Sequence, residues 1–402
     1  MNDKNKKLNY CFKQNNNSRL IRTKYCKFTA LSMLSVVFHL VGAATTNVYA
    51  YKAGNVNIDI TGSVSETYDD NISSVKDNKK DDLITNAAVG IASAYENKIT
   101  SFRLTGAIAQ HLFAQYHNFD NTSVDFSASL THDISKYDRI IATDTFMSAE
   151  ETTSLIDAFG RTSGRYRYIH NSFSSGYSHQ FSSQLAIDLK YANEAYNPSR
   201  SDLSDSYLNE FGIGANYSVV SDTALLLEYE YSHRNFNPGR GAFINALSTG
   251  LKHYFTTQLY LEAKTGIQFI ESYNRKNYAK PLFIASVVND ISKNTRWSFT
   301  FEKQYSTNPY TEDIFNSWEV FPEITQQLTE KLGLFFSGFY GKGKYPALGI
   351  KDTLQGVSLG VGYDIKENIK GTLFYKYSQV DSNDSSREYA RNSWNAGITA
   401  KF

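Results

Sequence analysis

From about residue 55 onward the chain alternates. In "TALLLEYEYSHR", Leu225, Leu227, Tyr229 and Tyr231 fall on one side and Glu228, Glu230, Ser232 and Arg234 on the other. A period of two is what a β-strand imposes on its faces. "QLAIDLKYANE" sets Leu185, Ile187, Leu189 and Tyr191 against Asp188, Lys190 and Glu194, and "TRWSFTFEKQ" sets Trp297, Phe299 and Phe301 against Arg296, Ser298, Thr300 and Glu302. "NIKGTLFYKYS" sets Ile369, Leu373, Tyr375 and Tyr377 against Lys370, Thr372, Lys376 and Ser378. Between such stretches a short polar turn recurs: "YENKIT", "DISKYDR", "QFSSQL", "VVSDTA", "YFTTQL", "DISKNTR", "QLTEKLG" and "DIKENIK". The spacing, about 35 to 46 residues, has room for two long strands, a longer polar loop and the next tight turn.

Eight tight turns join sixteen strands, with one more in "NVNIDITGSVSETYDDN" and one in "EYARNSWNAGITAKF". The pattern predicts an all-β fold: a transmembrane antiparallel β-barrel of about eighteen strands, with both termini on the tight-turn side. The total is sixteen if "DRIIATDTFMS" and "IFNSWEVFPEI", which alternate less cleanly, are not strands. The alternative is a soluble, secreted β-sandwich or β-helix. A sandwich buries one face in strands of about 5–6 residues. Here the alternating runs are often about ten long, and nearly every polar face carries charge. Lipid outside and water inside accommodate both faces without a large dry core.

The first fifty residues read differently. Lys4, Lys6, Lys7, Lys13, Arg19, Arg22, Lys24 and Lys27 precede the apolar run "FTALSMLSVVFHLVGAA", then "TTNVYA". This is the layout of a secretory signal peptide over residues 1–50, cut after Ala50, with the barrel over 51–402. An uncleaved anchor is the other reading, though the run is short for a span and His39 interrupts it. The 41 basic and 40 acidic residues lose eight and one with the leader, leaving 33 against 39, a net charge of −6. That balance argues against a nucleic-acid partner. Both cysteines, Cys11 and Cys26, lie in the leader, so neither disulfides nor thiol chemistry are expected beyond it. Export and a barrel pattern together predict the outer membrane of a Gram-negative bacterium.

In "NAGITAKF", Ala396, Ile398, Ala400 and Phe402 share one face, with Gly397 and Lys401 on the other. The stretch resembles the C-terminal β-signal that the barrel-assembly machinery reads by edge pairing, with Gly397, Ala400 and Phe402 at its marked positions. Near the other end, "ITGSVSETYDDNI" resembles the first strand and loop of porin-type outer-membrane β-barrels (β-barrel porin family two), which commonly accompany exopolysaccharide gene clusters. The resemblance implies the fold, the outer-membrane address and polysaccharide transit. It implies no catalytic residues.

Candidate lumen residues are Arg103, His111, Asp188, Lys190, Glu228, Glu230, Arg234, Glu262, Lys264, Arg296, Glu302, Lys370 and Lys376. Both signs occur, so strong ion selectivity does not follow. The 29 tyrosines suit interfacial girdles on the outer face, and sugar stacking on the inner one. "DDNISSVKDNKKDD" interleaves Asp69, Asp70, Asp77, Asp81 and Asp82 with Lys76, Lys79 and Lys80. It reads as a solvated loop rather than a calcium site, because its spacing fits no EF-hand and the lysines compete with the ion. His170 and Ser172 in "IHNSF" share a strand face, as in outer-membrane phospholipases, but a third group and an oxyanion site cannot be named. No catalytic residue, cofactor site or metal site is therefore assigned. The loop in "SAEETTSLIDAFGRTSGR" has Leu155, Ile156 and Phe159 at its centre and Glu150, Glu151, Asp157, Arg161 and Arg165 around them. It follows the fifth strand and is either an ordinary surface loop or one folded inward to narrow a channel. The expected function is passive passage of small hydrophilic solutes, saccharides among them. Its alternatives are a non-conducting component of an exopolysaccharide export assembly and a barrel phospholipase. Outer-membrane lipid, the assembly machinery, and saccharides or export proteins are the expected partners.

Overall fold

The computed structural model describes residues 51–53, 55–150, 159, 164–274 and 276–402. The leader and Glu151, Leu155, Ile156, Asp157 and Arg161 of the long loop lie outside the described residues. A short strand, β1 (Tyr51–Ala53), folds back on the start of β2 (Val56–Asp69). Then come β3 (Asp82–Glu96), β4 (Thr100–Phe113), β5 (Asn121–Asp133), β6 (Asp138–Ala149), β7 (Tyr168–Gln180) and β8 (Leu185–Pro198). They are followed by β9 (Asp205–Val220), β10 (Thr223–Asn237), β11 (Ala242–Tyr254), β12 (Leu259–Glu271), β13 (Asn277–Ser292) and β14 (Thr295–Thr307). The last are β15 (Ile314–Gln327), β16 (Leu332–Tyr345), β17 (Ile350–Lys366), β18 (Ile369–Ser382) and β19 (Tyr389–Lys401).

Each strand from β2 to β19 pairs antiparallel with its sequence neighbours, and β19 pairs with β2, closing an eighteen-strand barrel. Closure excludes the sandwich and the β-helix. The two irregular stretches are strands, β6 and β15, so the total is eighteen and not sixteen. All eight expected turns lie at one end, and their chemistry repeats. In three of them a hydroxyl accepts two backbone N–H groups: Ser182 from Gln184 and Leu185, Thr256 from Gln258 and Leu259, and Thr329 from Lys331 and Leu332. In the first turn the Asn97 side chain does the same for Ile99 and Thr100. The side chain thus replaces the bonds the hairpin backbone lacks.

Contacts between non-adjacent strands mark the inside. Lys190 on β8 reaches Glu228 on β10, and Arg234 on β10 donates to Thr307 on β14 at 3.2 Å. On the other face of β10, Leu225 and Leu227 point away and are 51% and 56% exposed, as Trp394 on β19 is at 50%. A belt of large apolar side chains around a closed barrel has lipid as its solvent. Strands of 12 to 17 residues exceed the roughly 9–11 needed to span a bilayer, so their ends extend past the hydrocarbon. The chain is a β-barrel of the Gram-negative outer membrane.

The seam is specific. The β19–β2 ladder runs from Ser393↔Asp69 to Lys401↔Thr61, and Phe402 exchanges both backbone bonds with Ile60, at 2.8 and 3.2 Å. A Cβ on Gly397 would come within 2.8 Å of the Ser65 Cβ, so a glycine is needed there for the two strands to meet. Ile398 and Ala400 lie on the outward face with Phe402, as the alternation predicts.

Candidate functional site

Register places every charged residue expected in the lumen on the inward face. Asp188, Lys190, Glu228, Glu230, Glu262 and Lys264 alternate with outward neighbours across β8, β10 and β12. Arg234 belongs to the same wall. Arg103 and His111 lie on β4, Arg296 and Glu302 on β14, and Lys370 and Lys376 on β18, also facing in but away from that cluster. His111 hydrogen-bonds Asn86 and Ser123 on its two neighbouring strands, at 2.6 and 2.8 Å. Glu302 stands opposite Glu319 of β15.

On the β8–β12 wall the charges interlock. Glu228 is held by Lys190 on one side and by Lys264 on the other, at 2.9 Å. Lys264 also lies 3.5 Å from Glu262, which lies 3.8 Å from Lys252. A small cavity of about 250 Å³ opens among Asp188, Lys190, Glu228, Glu262 and Lys264 toward the tight-turn end. The alternation alone suggests that arginine at Glu228 would be tolerated. The geometry corrects that, because an arginine there would meet two lysines whose shared carboxylate had gone.

The opposite end holds what the sequence pattern conceals. β13 begins at Asn277, but its ladder with β14 stops at Phe283↔Lys303. Residues 304–307 of β14, freed from β13, turn into the barrel while staying paired with β15. The backbone N–H and C=O of Tyr305, which find no ladder partner on β13, go to one side chain. Gln268 of β12 donates to its carbonyl and accepts its N–H, both at 2.8 Å. Gln268 is itself buried. The following connection, 308–313, is anchored across the interior. Tyr310 packs edge-on against Tyr196 of β8, with ring centroids 5.5 Å apart, and Asn308 donates to the Tyr345 hydroxyl. Asp313 accepts from the N–H groups of Ala347 and Leu348, at 2.7 and 3.1 Å. Arg387, in the loop before β19, is buried against Asp352 and lies over the Tyr345 ring. Burial opposes its charge, but the Asp352 hydrogen bonds and charge outweigh that and hold the guanidinium above its ordinary pKa.

Between this inward turn and the β7–β12 wall lies a cavity of about 480 Å³. Replacing Gln268 by leucine leaves the N–H and C=O of half-buried Tyr305 without their protein partner. The expected cost is about 1–3 kcal/mol, read as a lower urea midpoint for the folded barrel.

One described residue of the long loop after β6 lies inside the barrel. Phe159 is buried among the inward residues Phe315, Phe339, Tyr345, Leu354 and Val380 of β15–β18, on the far side from where its loop leaves the wall. Its ring meets Phe315 and Phe339 edge-on, with centroids 4.9 and 5.2 Å apart. A Cβ on Gly341 or Gly343 would lie 3.0 or 3.1 Å from that ring, so the two glycines make its seat. At the described residue, then, the inward alternative holds. Nearer the strands, Arg165 pairs with Glu150 at 3.1 Å and lies over Phe113.

The acidic loop after β2 is not simply solvated. Residues 76–81 are exposed, but Asp69, Asn71, Ile72 and Asp82 are buried. Asp69 accepts from Arg391 Nε at 2.8 Å and from the Asn71 N–H at 2.9 Å. Asp70 takes the Asn392 N–H and side-chain amide, both at 2.7 Å, and Asn71 donates to Ala390 at 3.0 Å. The "ETYDDN" motif therefore ties β2 to residues 390–392, just where the seam ladder ends. Asp82 accepts backbone N–H groups of Leu83, Gln115 and Tyr116. No group of acidic, histidine or cysteine side chains suited to a metal occurs among the described residues.

His170 and Ser172 do share the inward face of β7. His170 Nε2 lies 3.5 Å from Glu194, whose carboxylate takes two Arg234 bonds at 3.0 and 3.3 Å. No hydrogen bond joins His170 to Ser172 among the described residues, and that bond is what nucleophile activation needs.

No family model and no curated protein matches the chain, so the "ITGSVSETYDDNI" resemblance assigns it to no family. Among solved structures it is similar to the FrpB iron transporter of Neisseria meningitidis, F5-1 variant, apoprotein form. That match has 7% identity and a TM-score of 0.46, and covers 87% of this chain and 82% of the other. It is also similar to Acinetobacter baumannii OccAB3, at 9% identity and TM-score 0.43, over 87% and 100% of the two chains. A third is Pseudomonas aeruginosa OpdK with vanillate, at 10% identity and TM-score 0.44, over 86% and 98%. The iron and the vanillate are those proteins' own.

Proposed function

We propose that the protein is an outer-membrane channel for passive passage of small hydrophilic solutes, saccharides among them. The observation that carries this is the inward face itself. Charged and hydroxyl side chains line it on strand after strand, and the buried apolar clusters among the described residues lie toward the loop end. At that end the 304–313 turn and Phe159 narrow the passage, which sets a size limit. Mixed charge along the β8–β12 wall supports uptake without strong preference for either sign. Lipid and the barrel-assembly machinery are the partners this role requires.

The second reading is a non-conducting component of an exopolysaccharide export assembly. The Tyr196–Tyr310 contact across the interior favours it, since such bridges reduce the open section. Liposome swelling separates the two. With purified barrel in the vesicles, swelling in monosaccharide should be several-fold faster than in trisaccharide. Vesicles that hold folded barrel and swell in neither would contradict the channel.

A further inference from the structure

The 480 Å³ cavity brings together two carboxylates that no ion pair satisfies among the described residues. Three other carboxylates of the wall are ion-paired, Glu228 by two lysines, Glu194 by Arg234, and Glu262 by Lys264 and Lys252, and Asp188 accepts from the Asn216 amide at 2.7 Å. Glu210 and Glu230 both line the cavity, and neither has an ion-pair partner among the described residues. Register sets them diagonally on β9 and β10, since Glu210 faces Ser232 and Glu230 faces Gly212. The lysine that also lines it, Lys190, is committed to Glu228. Around the two carboxylates stand the hydroxyls of Ser174, Ser232 and Ser306, which make no side-chain hydrogen bond among the described residues. Gly176 and Gly212 leave the floor bare. The far side is the inward-turned end of β14, so the space is enclosed by two walls. Its volume falls within the roughly 300–1,000 Å³ of small-molecule sites.

We infer that this cavity is a solute-binding subsite for an organic ammonium carried on a polyol, the chemistry of an amino sugar. An ammonium donates three hydrogen bonds and accepts none, which suits two carboxylates that no ion pair occupies. Serine hydroxyls both donate and accept, which suits the ring hydroxyls. A bare divalent metal ion fits less well, because no three metal-type ligands converge there among the described residues. The inference rests on the channel reading for how the solute arrives, but not for how it is held.

The test uses the full barrel in detergent, titrated with glucosamine, glucose and N-acetylglucosamine, with binding followed by calorimetry. The same sugars are then applied in planar-bilayer recordings. Glucosamine is expected to bind about tenfold more tightly than either neutral sugar and to block current at correspondingly lower concentration. The difference should vanish in Glu210→Gln/Glu230→Gln. Gly212→Val fills the floor and leaves both carboxylates in the chain; its Cβ would meet Lys190 at 3.4 Å and the Glu230 Cγ at 3.8 Å, both ordinary contacts. It should lose glucosamine binding too. Equal binding of the three sugars by the wild type would overturn the inference while leaving a conducting channel intact. A barrel that never conducts but binds glucosamine through Glu210 and Glu230 would sustain the subsite and remove the channel. Should the double variant fail to fold, Gly212→Val and the comparison of neutral with charged sugars on the wild type still decide.

Discussion

Replacing Arg391 by methionine is expected to destabilise the barrel by about 3–5 kcal/mol, the cost of stranding a buried charge. Asp69, its partner, is fully buried and also accepts from the Asn71 N–H. The pair sits where the closing seam ends. The β19–β2 ladder stops at Ser393, although β19 begins at Tyr389. Beyond that point side chains of residues 69–71 hold residues 390–392, so losing the pair should also loosen the seam locally. The measurement is urea unfolding of the refolded barrel in detergent, followed by its heat-modifiable mobility. Asp69→Asn in the same background removes the stranded charge and should recover part of the loss, as coupled neighbours do. A single variant within about 0.5 kcal/mol of the wild type would show that the pair does not secure the seam.

The second large effect tests which face meets lipid. Arginine at Leu227, on the outward face between Leu225 and Tyr229, should cost about 2–4 kcal/mol if that residue lies near the bilayer midplane. Arginine at Glu230, three residues on and facing in, should stay within about 1 kcal/mol. There it meets carboxylates rather than acyl chains. Equal losses at the two positions would invert the assignment of faces.

Much of this was legible in the sequence, because a barrel repeats one rule. Alternation assigned Leu225–Arg234 and Ile369–Ser378 to their faces correctly, and the Ser/Thr turns that recur in "QFSSQL" and "YFTTQL" fixed the hairpins. The irregular strands show where the rule yields. β15 reads poorly because Phe315 and Phe321 face inward, where they pack around Phe159 and Phe339. β6 reads poorly because Asp144 faces outward, where it accepts from Asn171 at 3.0 Å. The candidate site was legible residue by residue but not as a constellation. Glu228 meets lysines from strands on either side, 38 and 36 positions away, and spacing says nothing about which inward charges touch. Gln268 was hidden altogether. Its role exists because β13 and β14 part at Phe283, and the local signature of that parting is Pro281, which the register sets opposite Tyr305 and which has no N–H to give. The clasp formed by Asp69, Asp70 and Asn71 looked like a solvated loop for a similar reason. Its partners lie some 320 residues away at Ala390, Arg391 and Asn392.

The most direct measurement is single-channel current through the refolded wild-type barrel in a planar bilayer, beside Gln268→Leu. Stepwise conductance is expected from the wild type, with larger steps from the variant as the 304–313 turn loses its hold. A heat-modifiable, correctly folded wild-type barrel that inserts and passes no current would contradict a channel.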